Sequence, residues 1–265
     1  SAQSPLTKLG ASFKIAYRAF VRRKTATLST IICLSLALVS TTIAAAGTTI
    51  ANETSQTYLS RGLGENIVLI GDKDMTTQYT YFLSQPFQTE KKETINYLDS
   101  KYAIPQAIVL RLTMIPNVRL DPRLFLEGLV IERPLIQIVG NGYMVIGDDR
   151  SSEALIFGVN PELLTNNWLI EGRTLNKADK YSAILGDSLA SNILTFPLDQ
   201  KVTILGKDFE VVGVALDPLN TGFVAYLPLD TLTTASNQTS YNLMLLRIEP
   251  STYSESLKKI SEVIN

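Results

Sequence analysis

The chain has 265 residues, 24 of them basic and 25 acidic, with no histidine and one cysteine, Cys33. Without histidine, a Ser-His-Asp triad, a Cys-His pair and a histidine zinc site are excluded. Six cations and no acids lie before residue 25, which leaves 18 cations against 25 acids beyond residue 51, a balance of about −7 that disfavours nucleic acid as a partner.

In residues 1–24, Leu6, Leu9, Phe13, Ala16, Tyr17, Phe20 and Val21 share one helical face, and Lys8, Lys14, Arg18 and Arg22 gather on the other. This predicts a cytoplasmic interfacial amphipathic helix, either a plain anchor on the inner leaflet or a docking site for a cytosolic partner. From Thr25 to Ala51 no residue is charged. At about 1.5 Å per residue that run is long enough for a hydrocarbon core of about 30 Å, and only a helix satisfies its backbone in the lipid bilayer. Arg22, Arg23 and Lys24 orient it with the N-terminus in the cytoplasm and residues 52–265 outside the cell membrane. Two other readings compete. One is a buried core helix, for which an uncharged run of this length is unusual. The other is a cleaved signal peptide with Leu28–Val39 as its apolar region and Ala44-Ala45-Ala46 as its cleavage site, against which stands the length of the basic segment before it.

Within the span, Ala37, Thr41, Ala45 and Thr49 form one row of small residues and Ser40, Ala44 and Thr48 a second. Such rows let a further transmembrane helix approach closely, although small residues in spans also arise by coincidence. Cys33 falls inside the span, so the outer part holds no disulfide. Asn52-Glu53-Thr54 and Asn237-Gln238-Thr239 are sequons on the predicted outer side, which makes Asn52 and Asn237 candidate glycosylation sites.

In the outer part, Ile67–Ile70 reads as a strand and Asp72–Gln88, polar and aromatic, as an exposed loop. Thr89–Lys101 has helical spacing at Ile95 and Leu98, with Pro105 just past its end. Four apolar runs follow: Ala107–Ile115, Leu124–Ile131, Leu135–Val139 and Tyr143–Ile146. Turn residues separate them at Pro116-Asn117, Pro134 and Gly140-Asn141-Gly142, so residues 102–150 read as a β-rich insertion. Further strands are expected at Ala154–Val159, Ala183–Leu185, Phe223–Leu227 and Leu243–Ile248, and a hairpin joins Val202–Leu205 to Phe209–Val214 across Gly206-Lys207-Asp208. Pro161 starts a helical turn that Glu171-Gly172-Arg173 breaks. Asp187 is a candidate N-cap for a helix over Ser188–Leu194, a short helix begins at Leu229, and an amphipathic helix begins at Ser254.

The acidic pairs Asp72/Asp74 and Asp148/Asp149 each follow a glycine at the end of an apolar run, and read as solvated turns in preference to a metal or acid–base site. Gly62-Leu63-Gly64 lacks the third glycine and the helix that phosphate binding needs. No cofactor and no metal are expected.

Several short segments, in order, carry a resemblance. They are Ala19-Phe20-Val21-Arg22-Arg23-Lys24 before the span, Leu63-Gly64-Glu65-Asn66-Ile67-Val68 after it, Gly158-Val159-Asn160-Pro161, Glu171-Gly172-Arg173, Ala183-Ile184-Leu185-Gly186-Asp187, Phe209-Glu210-Val211-Val212-Gly213-Val214 and Tyr226-Leu227-Pro228-Leu229. Together they resemble the first membrane span and extracytoplasmic core domain of a MacB/FtsX-type ABC transporter permease, the group that includes lipoprotein-release permeases; residues 72–150 match weakly. The resemblance implies an α+β fold: an amphipathic helix, one transmembrane helix, and a two-subdomain outer region with an α/β part and a β-rich part. It implies no catalytic residue here and makes Gly64, Asn66, Gly158, Pro161, Gly172, Arg173 and Gly213 structural turns. It implies a separate ATP-binding subunit as partner, and further transmembrane helices or a second permease chain. Such permeases have four spans, so the chain is either a fragment of one or a one-span relative. Two rival readings stay open: a single-span sensor or adhesion protein whose outer domain binds a ligand or partner, and an enzyme with an acidic pair of raised pKa in a cleft.

Overall fold

The computed structural model describes residues 66–84, 95–164 and 169–264. The amphipathic helix, the span with its small-residue rows, Cys33, Asn52 and Gly64 lie outside the described residues. Among the described residues no helix is long and apolar enough to cross a membrane.

The described part is a mixed α+β, strand-rich domain. In chain order it runs β1 (Ile67–Gly71), α1 (Lys73–Ser84), α2 (Gln106–Thr113), β2 (Val118–Arg133), β3 (Leu135–Val139), β4 (Gly142–Ile146), β5 (Ser151–Val159), β6 (Leu169–Gly172), β7 (Ser182–Gly186), α3 (Asp187–Ile193), β8 (Lys201–Ile204), β9 (Lys207–Ala215), β10 (Val224–Pro228), α4 (Leu229–Ala235), β11 (Leu243–Ile248) and α5 (Tyr253–Ile264). Nine strands form one sheet in the order β1-β11-β2-β5-β10-β7-β9-β6, with β8 bridging β2 and β9. That bridge closes a circuit, β2-β5-β10-β7-β9-β8 and back to β2, so much of the sheet is a small barrel whose edges are paired. Val130, Ile156, Leu185, Val202, Ile204, Phe209 and Val211 of its strands are buried in the main hydrophobic core. A second, smaller core lies beyond it, where α2 and α5 cover one face of β1-β11-β2 with Leu112, Ile115, Ile260, Met244, Leu246 and Ile248.

Three expected elements are corrected. Asp72–Gln88 is not an exposed loop over its described part but α1. Met75, Tyr79, Phe82 and Leu83 repeat at helical spacing and are buried. Asp72 accepts from Asp74 N at 2.9 Å to start the helix, and Thr76 and Thr80 return their hydroxyls to backbone carbonyls. Ala107–Ile115 is not a strand: Pro105 opens α2 instead of closing a helix before it. Burial of Leu112 and Ile115 against the second core outweighs the β propensity of Ile108 and Val109. Around Ile95 and Leu98 the described backbone is a turn leading into a 3-10 turn at Ser100–Tyr102, capped by Asp99.

Smaller differences concern caps and turns. Asp187 is the first residue of α3 and Gly186 occupies the cap position, so the expected Asp187 cap is absent. The β8–β9 turn is tighter than expected, with Leu205 and Gly206 both at positive φ and β9 resuming at Lys207.

Candidate functional site

The described domain begins beside its last strand. Asn66, left-handed at φ 56°, offers its carbonyl to Ile248 N at 3.0 Å. From there β1 and β11 run antiparallel, from Ile67 opposite Arg247 to Gly71 opposite Leu243. Glu249 N reaches the Asn117 carbonyl at 3.2 Å, and a 3-10 turn at Pro250–Thr252 leads directly into α5. On the sheet beside this junction Asp121, fully buried, sits between two guanidinium groups, Arg123 at 2.9 Å and Arg247 at 3.6 Å. Burial works against the Arg123 charge, yet Asp121 beside it leaves the guanidinium pKa above its ordinary value. One carboxylate thus ties β11 to β2 and fixes their register; a buried pair of this kind specifies geometry more than it stabilises.

The turn residues fall into two groups. Gly172, Arg173 and Gly213 meet where β6 pairs β9, with Gly172 directly opposite Gly213. Gly172 is at φ 79°, and a Cβ there would drive into the Val212 carbonyl. Arg173 N donates to that same carbonyl at 2.8 Å, and the Arg173 guanidinium forks onto both oxygens of Asp179 at 2.6 and 3.0 Å. Gly158 lies in β5 under α4, where a Cβ would stand 3.0 Å from Leu229 Cδ1. Two residues on, Asn160 accepts from Glu162 N at 3.1 Å to start the 3-10 turn at Pro161. Asp179 and Pro161 share the wall of a cleft of about 660 Å³, together with Glu162, Lys177, Tyr181 and Asp230. Its lining is mixed in charge, and Lys177 and Glu162 pair at 3.4 Å.

The β3–β4 hairpin forms its own two-stranded sheet. Its base is clamped. Glu132, fully buried, accepts from Arg150 Nε and Nη2 at 3.1 and 3.0 Å, from the backbone N of Asp148 and Arg150, and from Gln200 Nε2 at 2.7 Å. Burial pushes this carboxyl up, but the five donors overcome it and hold its pKa at about 2. Gln200 in turn accepts from Thr195 N and Phe196 N at 2.8 Å. Beyond the clamp the hairpin is exposed and apolar, Ile138 at 86% and Tyr143 at 75%.

Of the acidic pairs, Asp72 caps α1 and Asp74 accepts from Tyr102 Oη at 3.2 Å, whereas Asp148 and Asp149 form the exposed return after β4. No group of acidic or thiol side chains among the described residues is placed to hold a metal. Asn237 lies exposed at φ 54° in the turn after α4. Asp217 was not singled out from the sequence. Burial raises its pKa, while Tyr226 Oη donates to it at 2.6 Å and Leu219 N at 2.8 Å, so both of its oxygens are engaged within the fold.

The sequence profile of the MacB-like periplasmic core domain matches residues 27–262. Among curated proteins none matches the chain. Among solved structures the chain is similar to the extracellular domain of the noncanonic ABC-type transporter YknZ from Gram-positive bacteria, at 16% identity and TM-score 0.43, covering 62% of this chain and 83% of that one. It is also similar to the periplasmic region of MacB from Actinobacillus actinomycetemcomitans, at 19% identity and TM-score 0.44, covering 77% and 85%. A domain of a putative permease protein from Porphyromonas gingivalis matches at 16% identity and TM-score 0.36, covering 60% and 76%.

Proposed function

Since the chain belongs to the MacB-like periplasmic core domain family of ABC-type transporter permeases, we propose that it acts as a permease component whose outer domain couples ATP-driven motion across the membrane to export, lipoprotein release or a mechanical signal. In this reading Thr25–Ala51 spans the membrane with Arg22, Arg23 and Lys24 inside. Its small-residue rows pack against further helices or a second permease chain, and a separate cytosolic subunit binds and hydrolyses ATP. Of the expected β-rich insertion over residues 102–150, the β3–β4 hairpin is the part that stands apart from the main sheet, and the glycine and Arg173 turns hold strands of the α/β remainder in place. Asn52 and Asn237 are the residues available for glycosylation. No step of chemistry is assigned to this chain.

The observation that carries the reading is the pairing of the domain's first strand with its last. The backbone at the head of β1 is hydrogen-bonded to the end of β11, shortly before α5, through Asn66 and Ile248. A displacement that enters at Asn66 acts on β1 and its partner β11, and the Asp121 ion pairs pass it into β2, the longest strand of the described sheet. Purification of the native complex in mild detergent through this chain, followed by mass spectrometry, tests the proposal. Stoichiometric recovery of a cytosolic ATP-binding subunit is the expected result. Recovery of the chain alone, or with outer-surface proteins only, overturns it.

A further inference from the structure

On one face of β1, β11 and β2 we infer a binding site for a phosphate group, held by Arg119 and Arg247 with Arg123 beside them. The paired segments Ile67–Gly71, Leu243–Ile248 and 118–123 carry four charged side chains, and strand register puts all four on the face away from α2 and α5. Arg119 lies directly across from Arg247, and Asp121 and Arg123 follow Arg119 at two-residue steps along β2. Like charges directly opposed on antiparallel strands repel, with their Cβ atoms only about 5 Å apart. Three guanidinium groups and one carboxylate leave this face at +2, on an outer part that carries about −7. It is a local inversion of the domain's charge, and it favours an anion.

The fold does not satisfy these cations by itself. Asp121 Oδ2 accepts from Arg123 Nη2 at 2.9 Å and stands 3.6 Å from Arg247 Nη2, which also donates to the Leu163 carbonyl at 3.3 Å. The Nε atoms of both arginines are nevertheless buried without a hydrogen-bond partner, in the case of Arg123 within a residue only 6% exposed. Asp121 keeps Oδ1 unpartnered as well, so the cluster is not closed on itself. Asp217, the other carboxylate on which the Arg123 charge acts, has its oxygens engaged by Tyr226 and Leu219. Arg119 is exposed and has no ion pair among the described residues. The charge and the donors select the ligand. A phosphate group carries up to about −2 near pH 7, and its tetrahedral oxygens can take a fork from each of two facing guanidinium groups, whereas a carboxylate offers one charge and two oxygens. Free phosphate and the headgroup of an anionic phospholipid both present this chemistry.

The site goes beyond the coupling reading and stands whether or not an ATP-binding subunit accompanies the chain. It is tested with the full chain in a maltoside detergent, by titrating inorganic phosphate at fixed ionic strength and following its phosphorus NMR line width. Arg119→Met and Arg247→Met, which keep the apolar stems, are each expected to weaken binding at least tenfold, while Lys207→Met, at an exposed cation of β9, leaves it unchanged. In the absence of phosphate Arg119→Met should melt no lower than the parent, because it relieves the facing pair; the rise in melting temperature that phosphate gives the parent should shrink in it. Dihexanoyl phosphatidylglycerol, titrated in the same way, names the source: a tenfold preference for it over inorganic phosphate assigns a lipid headgroup, and any lesser preference assigns free phosphate. Absence of phosphate binding overturns the inference, as do binding indifferent to Arg119→Met and Arg247→Met, an equal loss from Lys207→Met, or acetate bound as tightly as phosphate.

Discussion

Strand β5 and the β3–β4 ribbon are built from similar residues and end in opposite environments. Residues 154–159, Ala-Leu-Ile-Phe-Gly-Val, are all buried, and Phe157 stacks on Phe125 at 4.9 Å and on Tyr226 at 5.6 Å. Leu-Ile-Gln-Ile-Val and Gly-Tyr-Met-Val-Ile of the ribbon are exposed or only half-buried. The difference lies in neighbours. β5 has β2 on one side and β10 on the other, with α3 and α4 packed against it; each ribbon strand has one partner and no covering layer among the described residues. Hydropathy locates strands, and topology decides which of them become core. A region that stays apolar and uncovered while its base is clamped is shaped for contact, whereas the barrel is shaped to hold its form.

Mutations can break or sharpen this contrast. Phe157→Ala removes the centre of the aromatic stack and is expected to cost about 3–5 kcal/mol, read from urea unfolding of the outer domain by circular dichroism; a cost under 1 kcal/mol would place β5 outside the core. Glu132→Ala, which leaves five donors without an acceptor, is expected to cost on the order of 3 kcal/mol near neutral pH. The sign with pH follows from the depressed carboxyl. Its contribution is complete above the ordinary glutamate range near 4.5 and is lost as pH falls toward about 2, so wild type and Glu132→Gln should converge in stability across that window. Persistence of the full difference at pH 2 would contradict the clamp. Asp179→Asn loosens an ion pair whose arginine is half exposed, with an expected loss of about 0.5–1 kcal/mol that shows as a small fall in melting temperature. Ile138→Ser, at the ribbon face, should leave unfolding within about 0.5 kcal/mol of the parent; a larger loss would mean that the face is covered within the monomer.

Much of the strand order along the chain was legible, because Val-, Ile- and Leu-rich runs end at turn residues whose chemistry is local, as at Gly140-Asn141 between β3 and β4. The two missed helices were not legible by the same means. α1 hides a helical spacing of Met75, Tyr79, Phe82 and Leu83 among threonines, which favour strands or loops when read singly. α2 is short and rich in Ile, Val and Leu, and only the core beneath it makes it helical. The turn motifs pointed to Gly172 and Gly213, but that they lie opposite one another required the pairing of β6 with β9, which no spacing reveals. Asp121, Glu132 and Asp217 carry no sequence signal beyond being acidic residues within or beside apolar segments; the first two take their roles from Arg247 and Gln200, far along the chain, and Asp217 from Tyr226 in β10.

Amide hydrogen exchange of the assembled complex, with and without a non-hydrolysable ATP analogue, tests the coupling most directly. The account predicts altered protection in β1, in its partner β11 and in α5, which packs in the second core with them, with β5, β7 and β10 unchanged in the barrel. Identical protection throughout the outer domain in both states would contradict it.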